Sequence, residues 1–159
     1  MDGRAEVAGW GAGVAAPCGC GAWGRREVGQ VVRGGQLGWD AEFRCGACGG
    51  GGCLGFGGED APDWVRGPLL ERYGPVLVRL VGPGVDRGAV LRVVRAAWPV
   101  TLPQAAGLLR QLAGDGLAGT PAEAAWLCGR LAERGVAAEA VPGRGMVVAG
   151  ADWPWGLSG

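Results

Sequence analysis

The chain has 159 residues, room for one medium domain or two small ones, and 35 of them are glycine, far above the usual share of about 7%. Its fifteen basic residues, all arginine, balance fifteen acidic ones, so bulk charge gives no attraction to nucleic acid or to an anionic membrane. With no His, no Lys and Ser158 as the one serine, imidazole bases, Ser–His pairs, phosphate-loop lysines and Schiff bases are excluded, and a non-enzymatic role is expected.

No apolar run approaches the roughly 20 residues that cross a bilayer, so no membrane contact is expected. The first residues mix charge with glycine and make a poor signal peptide, which leaves a cytoplasmic location as the expectation. In that reducing setting six cysteines point to metal or buried thiols before disulfides.

Residues 1–16 show no sustained periodicity and are expected to be a flexible arm. Residues 17–53 carry Cys18-Gly-Cys20-Gly and Cys45-Gly-Ala-Cys48-Gly. A C-x-x-C followed by Gly makes a tight turn that aims two thiolates at one ion, and Gly relieves the backbone there. Between the pairs, Val28, Val31 and Val32 precede Gly34-Gly35, and Trp39, Ala41 and Phe43 alternate with charged residues at strand period. Two cysteine turns around a β-hairpin resemble a zinc ribbon, although C-x-C departs from the usual spacing of the first turn. The expected ligands to one structural zinc are Cys18, Cys20, Cys45 and Cys48, with Cys53 as a substitute for one of the first pair.

Residues 49–60, GGGGCLGFGGED, read as a flexible linker and domain boundary, with 54–74 taken as linker and connecting helix. Trp64, Val65, Leu69, Leu70 and Tyr73 follow at near-helical spacing, with Gly67-Pro68 expected to kink or split the helix. That helix is expected to cover the domain after it.

From residue 75 to 142 the signals sharpen. Val76, Val78 and Leu80 alternate as a strand ending at Gly82-Pro83-Gly84. Asp86 can cap a helix whose apolar face is Ala89, Val90, Val93, Val94 and Ala97, stopped by Pro99. The chain's two threonines open Thr101-Leu-Pro-Gln104 and Thr120-Pro-Ala-Glu123, both capping boxes with a first-turn proline. Leu108, Leu109 and Leu112 form the stripe of one helix; Ala124, Leu127, Cys128 and Leu131 form that of the next, with Cys128 read as a small core residue. Val136, Ala138 and Ala140 close with a strand.

This order, carried by VLVRLVG, DRGAVLRVVRAA, TLPQAAGLL and AERGVAAEAV, resembles the C-terminal domain of the acidic ribosomal stalk protein (the L-seven/L-twelve protein). The resemblance implies an α+β fold with a small antiparallel three-stranded sheet and three helices on one face. It also implies a partner surface on the first helix, where Arg87, Arg92 and Arg95 match the family's basic residues and Leu91 its exposed aliphatic one. In that family the surface recruits translational GTPases. Pro103 and Ala106 replace basic residues of its second helix, and the family's dimerising helices are missing. The expectation is therefore a stand-alone relative of one domain, a non-catalytic adaptor for a protein with an acidic surface. Arg87, Leu91 and Arg95, four apart, share one helical stripe.

Three rival readings stand beside it. A nucleic-acid binder would use Arg25, Arg26, Arg33 and Arg44 on phosphates and Trp23, Trp39 and Phe43 on bases. A thiol redox or metal-handling protein would use Cys45 and Cys48, and a protease adaptor of similar fold would need a pocket not visible in the residues. In the tail, 143–159, Met146–Val148 could form an edge strand and Trp153 and Trp155 could cover the sheet.

Overall fold

The structure is a computed structural model that describes residues 7–143. The chain is α+β and divides into two compact units at Tyr73–Gly74. The expectations for Met146–Val148 and for the tail tryptophans fall outside the described residues.

The first unit is an antiparallel meander of β1 (Val7–Pro17), β2 (Trp23–Arg33), β3 (Gln36–Arg44) and β4 (Gly51–Gly57), in that spatial order, followed by helix α1 (Asp63–Tyr73). The β2–β3 hairpin lies where the valine and aromatic alternation placed it. Arg33 pairs with Gln36 across Gly34-Gly35, and both glycines have positive φ (56° and 75°), as the tightest hairpin turns require.

Two expectations are overturned at its flanks. The arm of residues 1–16 is strand from Val7 onward, in continuous register with β2 from Val7–Arg33 to Pro17–Trp23. The linker glycines of 49–60 are largely β4, paired with β3 across a bulge at Ala41/Glu42. The physical reason is that these glycines are seats, not slack. The Trp39 indole lies over Gly55 and Gly57, where an added Cβ would come within 2.9 and 2.5 Å of the ring. Phe43 covers Gly24 on β2 in the same way, at 2.3 Å, and Gly51 lets the backbone of Phe43 approach to 2.4 Å of the added carbon. An aromatic ring laid over a strand glycine supplies the apolar contact that the glycine lacks.

Helix α1 is one continuous helix, not a split one, although Pro68 sits inside it. It packs on β1 and β2 of its own unit. Val65 and Leu69 meet Ala12, Val28 and Ala41 in a small core flanked by Trp10 and Trp39. Trp64 meets Trp39 edge-on at 5.7 Å, with the Arg26 guanidinium 5.3 Å from the Trp64 ring centre.

The second unit runs β5 (Val76–Leu80), α2 (Arg87–Ala97), α3 (Leu102–Ala113), β6 (Leu117–Gly119), α4 (Pro121–Ala132) and β7 (Ala138–Pro142). Its sheet is antiparallel with β5 in the middle, between β6 and β7. Leu117–Gly119 is a fully buried strand, too short to show a period in the sequence. Helices α3 and α4 pack on β5, and α2 packs on α3 and α4. Val78, Val90, Val94, Leu112, Leu127 and Leu131 are fully buried, and Cys128 is half-buried, its thiol raised by desolvation.

Both capping boxes form, but in different surroundings. At α3 the Thr101 amide donates to Gln104 Oε1 (2.8 Å) and the Gln104 amide to Thr101 Oγ1 (3.4 Å), in the open. At α4 the Thr120 amide donates to Glu123 Oε2 (2.8 Å) and the Glu123 amide to Thr120 Oγ1 (3.2 Å), with both residues wholly buried. A cap usually contributes about 1 kcal/mol, and a buried group left without its partner costs about 1–3 kcal/mol more. Thr101→Ala is expected to destabilise by about 1 kcal/mol and Thr120→Ala by about 2–3 kcal/mol in urea titrations. Equal losses would show that burial does not reinforce the second box.

Candidate metal centre

In an up-and-down meander the first and third turns fall at the same end of the sheet, so β1–β2 and β3–β4 bring their cysteines together. Each turn is held by its own backbone. The Cys18 amide donates to Ala22 O (2.8 Å) and the Gly21 amide to Cys18 O (3.0 Å), with Gly21 at φ 89°. In the other turn the Cys45 amide donates to Gly50 O (2.8 Å), the Gly49 amide to Cys45 O (2.9 Å) and the Gly50 amide to Cys48 Sγ (3.3 Å). Gly49 has φ 71°, the left-handed conformation that lets the chain double back beneath the sulfurs.

The Sγ atoms of Cys18, Cys20, Cys45 and Cys48 all lie within 4.8 Å of one another. Cys18 is 3.7 Å from Cys48 and Cys20 is 3.8 Å from Cys45, so each contact joins one turn to the other. A tetrahedron of sulfurs about 2.3 Å from its centre has edges of about 3.8 Å, so both cross-turn contacts have the length of a tetrathiolate edge. The C-x-C turn thus does what the longer C-x-x-C turn does. Cys53 is left out: it is exposed on β4, opposite Glu42.

Crowding sets the protonation of the cluster. The amides of Cys48 and Ala47 pull the Cys45 thiol down to about 7, against its burial. The Cys20 amide also lowers Cys18, but its thiol contact with Cys20, desolvation, and the thiols of Cys45 and Cys48 together push it up to about 11. Cys45 is therefore available as a thiolate near neutral pH, while ionisation of Cys18 is opposed until a cation neutralises its neighbours. The donors, their number and their spacing fit a metal ion.

On α2, Arg87, Arg92 and Arg95 are exposed and Leu91 is half-buried. Leu91, Arg92 and Arg95 line one open hollow of about 380 Å³ with Ala96 and Leu102, and Arg87 lies outside that lining. Leu102 was missed. Its phase matches buried Ala105 and Leu109, and only the structure shows it 57% exposed. None of the three arginines is in an ion pair among the described residues.

The arginines of the four-stranded sheet differ. Arg25 pairs with Glu27 and Arg44 with Glu42. Trp39 and Phe43 are spent on the glycine seats, which leaves Trp23 as the exposed ring of the three residues a nucleic-acid binder would use. No family model, curated protein or solved structure matches the chain.

Proposed function

We propose that the chain is a non-catalytic adaptor in which a structural zinc holds the first unit together and the second unit carries the partner surface. Zinc is the reading that four thiolates at tetrahedral spacing favour. Four protein ligands leave no open position for water or substrate, which suits a structural role and not a catalytic one.

The observation that carries the adaptor reading is the hollow on α2 and the start of α3. Among the described residues Arg92 and Arg95 there have no carboxylate partner, and they border Leu91 and exposed Leu102. Unpaired guanidinium groups around an apolar floor suit a partner that presents an acidic rim and an apolar side chain. The element order, strand, two helices, strand, helix, strand, supports a stalk-like domain with its three helices on one face of the sheet. By that analogy the partner belongs to translation.

The test is charge reversal. Arg92→Glu with Arg95→Glu is expected to weaken capture of the acidic partner at least about tenfold, roughly 1.4 kcal/mol. It is also expected to leave the melting temperature unchanged, because both side chains are exposed. Identical pull-down profiles for the variant and the native chain would remove the adaptor surface. Salt-dependent retention on a nucleic-acid column would favour the rival instead.

A further inference from the structure

The two edges of the four-stranded sheet are not alike. On the outer edge of β1 the Tyr73 hydroxyl donates to Gly11 O (2.9 Å) and accepts from the Gly11 amide (3.4 Å). Arg72 Nη1 donates to the same carbonyl (2.9 Å). The last turn of α1 thus occupies the outward backbone groups of Gly11, near the middle of the edge through which another strand would add to β1.

At the opposite edge, among the described residues, β4 pairs with β3 alone. Proteins usually guard such an edge with lysine, proline or another charge. This one carries a bulge at Leu54 but no charge and no proline: every residue from 46 to 58 is uncharged, and Leu54 and Phe56 stand 50% and 79% exposed.

We infer that β4 is a strand-addition surface and that its occupant is a second copy of this chain, joined β4 to β4 in an antiparallel pair. Self-pairing across an uncharged run sets no like charges opposite each other. A two-fold contact uses the same edge on both copies, so it is satisfied once by two chains. Because Tyr73 and Arg72 occupy Gly11 near the middle of the far edge, a continuous strand cannot add there, so an eight-stranded sheet would end at β1 on both sides and not continue as a fibre. An unrelated peptide would find the same open amides, but nothing on β4 selects for one.

The experiment is sedimentation of the full chain from about 1 µM to about 1 mM, with amide exchange of residues 51–57 followed at both ends of that range. The expected result is a concentration-dependent species of twice 16.1 kDa, with β4 amides protected only where that species is populated. Leu54→Lys and Phe56→Lys are each expected to raise the dissociation constant about tenfold or more. Both sites are exposed, so circular dichroism should be unchanged. Trp23→Lys, on the same sheet face as Phe56 but away from the edge, should leave the dimer as it was.

A monomer throughout the range overturns the inference. So does a dimer that survives both β4 substitutions, or one lost in Trp23→Lys, which would assign the contact to the face. A monomer whose outward β4 amides are protected also overturns it, in favour of a different occupant.

Discussion

Replacing Cys45 by serine is expected to empty the metal site and unfold residues 7–73, while residues 74–143 keep their structure. Cys45 is the buried member of the four, and the amides of Cys48 and Ala47 converge on its sulfur. No neighbour can substitute, because Cys53 lies on β4 outside the cluster. The remaining core of this unit is thin: Ala12, Val28, Ala41, Ala61, Val65 and Leu69. Structural zinc supplies roughly 10–16 kcal/mol to finger peptides near neutral pH, more than such a core can replace. Elemental analysis should fall from one zinc per chain to none, and the amide resonances of 7–73 should collapse. A metal-free variant that keeps a dispersed spectrum over those residues would show that the sheet stands without zinc.

Trp98→Ala is expected to cost the second unit about 3–5 kcal/mol. The residue caps α2, with its amide on Val94 O, and its indole is buried edge-on against Trp126 at 5.9 Å and 81°. Small domains have about 5–15 kcal/mol in total, so the variant is left close to unfolding. Urea unfolding followed by far-ultraviolet circular dichroism measures the loss without relying on the fluorescence of the removed ring. A change below about 1 kcal/mol would mean that the site collapses around the missing ring at little cost.

The second unit was largely legible because its instructions are local. Asp86, Thr101 and Thr120 each cap the helix that follows, and the stripes of α2, α3 and α4 are the buried ones. What failed there was short or isolated. Leu117–Gly119 has too few residues to show a period, and Trp98 lies just beyond the proline-terminated helix.

In the first unit the same reading misjudged glycine. Residues 9, 11 and 13 alternate with Trp10, Ala12 and Val14, a strand period that is hidden when every glycine is counted as a breaker. The seats under Trp39 are non-local: Gly55 and Gly57 are intelligible only once β4 is known to lie beside β3. Candidate ligands were visible because cysteine pairs announce themselves at short range. The exclusion of Cys53 was not, since it depends on β4 having already begun at Gly51, which sets Cys53 opposite Glu42. On α2, Leu91, Arg92 and Arg95 share a hollow, but the contribution of Leu102 from the neighbouring helix needed the fold.

Since the cysteine turns sit together at one end, a bound ion would fasten the meander there and leave the Gly34-Gly35 tip without a comparable clasp. Rigidity would then decline along the strands with distance from the sulfurs. Thermal breathing would begin at the glycine tip and travel toward the metal, so the sheet would open like a fan hinged at its rivet.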